Sequence, residues 1–105
     1  MSAKVREIFV KCRRLEILSL LAGSKGYYLN LSILQTALNA AGLNTSRDGV
    51  EGECAWLAEQ GLVWMETIAV QDVSVGVAHL TERGLEIAQG KGEHPGVDKP
   101  RPRRF

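Results

Sequence analysis

Apolar positions between Ala3 and Ala22 recur at steps of three and four: Val5, Ile8, Phe9, Cys12, Leu15, Leu18 and Leu21. That spacing lays them along one stripe of a helix, which Gly23, Ser24 and Gly26 then end, because glycine accepts the left-handed backbone that closes a C-terminus. In the second half of this helix Ile17, Leu18, Leu20 and Leu21 leave no polar face. A helix apolar all round must be covered on several sides, either by the rest of its own chain or by a second copy; in the second case Ile17, Leu20 and Leu21 form the interface of a homodimer. After a short extended piece from Tyr27 to Leu29, Asn30 caps a second helix with the stripe Leu31, Leu34, Leu38 and Ala41, stopped by Gly42. Ser46 caps a third, in which Val50, Cys54, Leu57 and Ala58 form the stripe and Gly61 follows the end at Gln60.

Beyond Gly61 the period falls from 3.6 to 2. Leu62 to Val70 is rich in Val, Ile, Trp and Met, and Val73, Val75 and Val77 alternate with small residues, which predicts two strands joined at Gln71 and Asp72. Thr81 caps a short last helix with Leu85 and Ala88 inward and Gly90 as its stop. The expected core is Leu15, Leu18, Leu34, Leu38, Val50, Leu57, Leu62 and Leu85. On the third helix Trp56 lies about 100° from the stripe, so it either packs on the hairpin or stands exposed as an interface anchor.

Length and composition bound this to one domain: 105 residues, 45% hydrophobic and 24% charged. The packed part is expected to span residues 1–90. From 91 to 105 the chain turns to Gly, Pro and charge and reads as an extended, flexible tail that does not join the core. The longest apolar run, Ile17 to Ala22, falls far short of the roughly 20 residues of a membrane span. Cys12 and Cys54 lie within helical patterns and read as core residues. A cytoplasmic protein without a disulfide is the expectation.

The formal charge is only +1, so any affinity for nucleic acid must be local. Residues 46–60 hold one arginine against four carboxylates, a net of −3, and residues 62–80 hold no Lys or Arg but two acids, Glu66 and Asp72. The cations gather elsewhere: residues 1–22 carry five against two acids, and residues 91–105 again five against two, each a net of +3. Catalytic chemistry finds no foothold. His79 and His94 have no Cys or carboxylate at nucleophile or ligand spacing, the two cysteines are not a C-x-x-C pair, and Gly90-Lys91-Gly92 lacks the phosphate-loop spacing. Neither an enzyme nor a cofactor or metal is expected.

The element order, an α+β but mainly helical chain of three helices, a two-stranded hairpin and a C-terminal helix, is that of a winged helix-turn-helix. Two phrases, Trp56-Leu57-Ala58-Glu59-Gln60-Gly61-Leu62-Val63 and Leu80-Thr81-Glu82-Arg83-Gly84-Leu85, resemble the junctions that bound the wing in bacterial winged-helix regulators. With Ser46-Arg47-Asp48 and a Pro-Gly-Val tail ending in Pro and Arg, the chain is similar to a family of small proteins of Mu-like prophages that resemble ArsR-type regulators. The resemblance implies phage origin, and together with the element order and the placement of charge it leaves two functions. One is double-stranded DNA binding and transcription regulation, with Ser46 and Arg47 contacting DNA and Lys99, Arg101, Arg103 and Arg104 adding nonspecific affinity. The other is a protein-interaction module in which the first helix or the acidic third helix docks a phage or host protein during assembly or DNA packaging, without reading DNA sequence.

Overall fold

The computed structural model describes residues 2–102. It is an α+β architecture, mainly helical, of four α-helices and a three-stranded antiparallel sheet among the described residues. Helix α1 spans Ala3–Ala22 and starts where the Ser2 side chain accepts a hydrogen bond from the Val5 amide. A one-turn 3-10 segment, Lys25–Tyr27, contains Gly26 at φ 80° and Tyr27 at φ 61°. Two successive left-handed residues turn the chain sharply into strand β1, Tyr28–Asn30. Asn30 closes the strand and caps helix α2, Leu31–Ala40, by accepting the Ile33 amide at 2.8 Å. Helix α3, Arg47–Glu59, begins on the Ser46 hydroxyl, which accepts the Gly49 amide at 3.0 Å.

Strands β2, Val63–Val70, and β3, Val73–Leu80, form the hairpin. Gln71 and Asp72 both have positive φ, 47° and 65°, which is the turn handedness that matches the right-handed twist of paired strands. The sheet order is β1-β3-β2, with Tyr28 opposite His79 and Trp64 opposite the same histidine. The hairpin is thus widened to three strands by β1, because the left-handed turn lays the expected extended piece beside β3. Helix α4, Glu82–Ala88, closes the fold.

One core holds these pieces together. Ile17, Leu18 and Leu21 of α1, Leu34 and Leu38 of α2, Val50, Cys54 and Leu57 of α3, and Leu62 are fully buried around a common centre. Two expected members differ: Leu15 is only partly buried against the core, and in α4 Ile87 takes the inward position instead of Leu85. Gly84 explains the second difference, since α4 touches the rest of the molecule through the Gly84 surface, three residues before Ile87, and turns Leu85 aside. Ile17 and Leu21, for which a second copy and the chain itself were the two possible covers, are fully buried in the protomer's own core, and Leu20 packs partly buried against it. The all-round apolar half of α1 is therefore satisfied internally. The segment after residue 90 differs as well: Val97 is 5% exposed and joins the core, so the packed chain continues to at least Asp98.

A Cβ on Gly84 would collide with the Leu62 carbonyl oxygen and lie 2.7 Å from Leu80 Cδ1, whereas one on Gly52, exposed inside α3, would meet nothing within 4 Å. Gly84→Ala is expected to lower unfolding stability in urea by about 1–3 kcal/mol as overpacking. Gly52→Ala is expected to raise it by about 0.5–1 kcal/mol through helix propensity, so the two alanines move the midpoint in opposite directions.

Candidate functional site

The residues expected to contact DNA are held by local partners. Ser46 spends its hydroxyl on the α3 cap. Arg47 donates to the Ser32 hydroxyl at 2.6 Å and pairs with Glu51 at 3.6 Å, tying the start of α3 to α2. Lys99 pairs with Glu93 at 3.1 Å, and Arg101 lies 3.8 Å from Asp98, both on the C-terminal segment. Arg103 and Arg104 lie outside the described residues. Ser46 and Arg47 therefore share one helix start, while Lys99 and Arg101 sit with the strand of chain that runs against α1.

That segment is secured by a polar cluster built on Glu53. The carboxylate, 9% exposed on α3, accepts from Arg14 Nε at 3.0 Å and pairs with Arg13 at 3.5 Å. Arg14 then does two further things: its guanidinium lies 3.6 Å over the Trp56 ring and donates to the Gly96 carbonyl at 3.1 Å. His94 sets its ring edge-on to Trp56 at 5.2 Å between centroids. Its Nδ1 accepts the Gly96 amide at 3.0 Å, which leaves the proton on Nε2 to be donated to Gln60 Oε1, also 3.0 Å away. Trp56, offered by the sequence as an interface anchor or a cover for the hairpin, is instead enclosed between Arg14, His94 and Gly96 of its own chain. Asp98 completes the strap with its amide on the Lys11 carbonyl and its carboxylate near the Cys12 thiol at 3.6 Å.

The accessible chemistry lies on the outer face of the sheet. Trp64 of β2 stacks on His79 of β3 with centroids 3.8 Å apart and planes within 7°, and Tyr28 of β1 flanks the same ring at 5.4 Å. Glu66 meets His79 Nε2 at 2.8 Å. Beyond this ladder Tyr28, Ile33, Ile68, Val70, Val75 and Val77 line an apolar recess open to solvent. Trp64 and Tyr28 are each about half exposed, as are Ile33 and Val70. Sequence reasoning missed this surface. The period-two spacing of Trp64, Glu66, Ile68 and Val70 held the signal for the hairpin part, but nothing in the sequence announced that β1 and the start of α2 would extend it.

No protein-family model matches the chain. It is similar to the uncharacterized protein gp26 of Escherichia phage Mu, 42% identical over 99 residues that cover 94% of this chain and 98% of that protein. An uncharacterized protein of Haemophilus influenzae is 36% identical over 83 residues, 79% of this chain and 78% of its own length.

Removing the Arg14 head breaks three contacts at once. Arg14→Ala is expected to cost about 2 kcal/mol, the loss of hydrogen bonds to a charged group, and in a Trp64→Phe background to shift the Trp56 emission to the red as the strap loosens. The cysteines give a second measurement. Burial pushes the Cys54 thiol up to about 12, with Glu53 adding to the effect, and burial and Asp98 raise Cys12. Folding favours the neutral Cys54 thiol, so its contribution is complete below the unfolded value near 9 and is lost as pH rises from there toward 12. Stability is expected to fall by about 1.4 kcal/mol per pH unit in that window from this group. The slope should diminish in Cys54→Ala, measured by urea unfolding at successive alkaline pH values.

Proposed function

The chain belongs to the family of gp26 of Escherichia phage Mu, and on that premise we propose that it is a phage winged-helix domain used as a protein-interaction module, without sequence-specific DNA binding. The observation that carries this reading is the chemistry of the surfaces that a DNA-reading winged helix turns toward phosphates. The second helix of a helix-turn-helix normally enters the major groove with its N-terminal residues on base edges. Here that helix, α3, is net negative, and its single cation, Arg47, is already engaged by Glu51 and Ser32. Cation-to-phosphate contacts supply most of the affinity for duplex, and the hairpin has none to offer.

What the hairpin offers is apolar area. Tyr28, Ile33, Trp64, Ile68, Val70 and Val73 are all exposed, a patch of the kind that marks contact with another protein. Trp64 is stacked on His79, whose ring is oriented by Glu66, and an aromatic already packed in place makes a good anchor because little side-chain entropy is lost when it docks. The partner is a phage or host protein that presents apolar side chains. No helix among the described residues is long and apolar enough to cross a membrane.

Two measurements test the reading. Titration of the full chain into labelled duplexes at physiological salt should give no tight or sequence-selective binding, only the nonspecific, salt-dependent association of about 10⁻⁴ to 10⁻⁶ M that α1 and the tail support. Affinity capture from cells producing a Mu-like phage should retain a defined phage or host protein that Val70→Asp loses while keeping its melting temperature. Nanomolar binding to one duplex sequence would overturn the proposal and restore the regulator.

A further inference from the structure

β2 is an open edge. Among the described residues, in the order β1-β3-β2, it is hydrogen-bonded on one side only, and over its eight residues only Val63 is buried and Glu66 intermediate. Exposed edges of this length template pairing with another chain, and proteins commonly blunt them with lysine, proline or a bulge. β2 has none of the three. Its register with β3 is unbroken from Val63↔Leu80 to Val70↔Val73, and its only charged residue, Glu66, is turned to His79.

The ladder decides which backbone groups face the open edge. The Thr81 amide donates to the Leu62 carbonyl at 3.1 Å, hydrogen-bonded and non-bonded pairs alternate along antiparallel strands, and a two-residue turn between Val70 and Val73 closes on a bonded pair. Even-numbered residues of β2 therefore spend their backbone groups on β3. Val63, Met65, Thr67 and Ala69 direct theirs outward.

We propose that this edge pairs with the same edge of a second copy, antiparallel about a two-fold axis through Thr67, to make one continuous six-stranded sheet. A two-fold axis normal to the sheet keeps the core-facing sides of both copies together, so residues facing each other must share a side of the strand. Two registers near the strand centre meet that condition and also join outward-directed backbone groups. One sets Glu66 opposite Glu66 of the other copy, in a non-bonded pair with Cα atoms about 4.5 Å apart, where like charges repel. The other sets Thr67 on the axis, Met65 opposite Ala69, Glu66 opposite Ile68 and Trp64 opposite Val70. Charge selects the second. It also argues against the other exposed apolar strip, Val5, Ile8 and Phe9 of α1, as a self-pairing surface. Residues 4–13 carry Lys4, Arg6, Lys11 and Arg13 against Glu7 alone, so two such helices brought together would repel.

Light scattering of the full chain at micromolar concentration should give twice the 11.5 kDa chain mass. Thr67→Pro removes an amide that β3 does not use, a substitution edge strands tolerate; it should keep its circular dichroism and become a monomer. For the register, chains carrying Glu66→Cys and chains carrying Ile68→Cys, both in a Cys12→Ser background, should form a mixed disulfide on mild oxidation, since non-bonded cross-strand pairs approach at disulfide distance. Glu66→Cys alone should not cross-link. A monomeric wild type overturns the proposal, as does a dimer that persists in a folded Thr67→Pro or one that Phe9→Asp dissociates. Self-linking of Glu66→Cys overturns the register. If Thr67→Pro fails to fold, the disulfide pattern decides.

Discussion

The exposed face and edge of the sheet depend on where the hairpin leaves the helical body, and that is fixed by a small set of contacts around Leu62. Its carbonyl accepts the Thr81 amide at the base of the hairpin. Gly84 lies so close to the same carbonyl that no side chain fits there. The Thr81 hydroxyl accepts the Gly84 amide at 3.0 Å to start α4 and donates to the Gly61 carbonyl at 2.7 Å where α3 ends. One threonine, two glycines and a leucine carbonyl thus join the end of α3, both ends of the hairpin and the start of α4. Because this junction holds the hairpin at its base, the far half of β2 and β3 extends away from the core with its outer face and open edge in solvent.

The distribution of charge follows a similar economy. Three arginines are used inside the protomer: Arg13 and Arg14 on Glu53, Arg47 on Glu51 and Ser32. Glu53 is nearly buried, and a buried carboxylate is tolerable only with cations and donors around it. Arg14 meets that need and at the same time spans to Trp56 and the Gly96 carbonyl. The acidic character of α3 is in this respect partly structural: one of its four carboxylates is the hub that fastens α1 and the C-terminal strap. The surfaces left over on the sheet are aromatic and aliphatic, which is the basis for assigning them to protein contacts.

The local signals in the sequence were sufficient for the elements themselves. Ser46, Asn30 and Thr81 each cap the helix they announce, because a side-chain oxygen three residues before a free amide needs no tertiary help to bond it. The stripes Leu34–Leu38 and Val50–Cys54–Leu57 are buried because helical periodicity alone puts them on one face. The alternation of Val73, Val75 and Val77 marks β3 for the same kind of reason. The phrases ending at Gly61 and beginning at Leu80 identified the two sides of the hairpin base, and they meet in space at Leu62.

Tertiary structure decided what depends on residues distant in sequence. Composition marks residues 91–105 as extended chain, and only the close approach of Trp56, Arg14 and Gly96, residues separated by up to 82 positions, shows that Val97 is drawn into the core. The apolar second half of α1 demands burial on several sides, but the sequence does not say whether its own chain or a second copy supplies the cover; here its own α2, α3 and α4 do so. The ladder of Tyr28, His79 and Trp64 exists because two left-handed residues at Gly26 and Tyr27 bring β1 alongside β3. Periodicity reports which side of an element is apolar, whereas which partner covers it, and which edge of the sheet stays open, is set by chain topology.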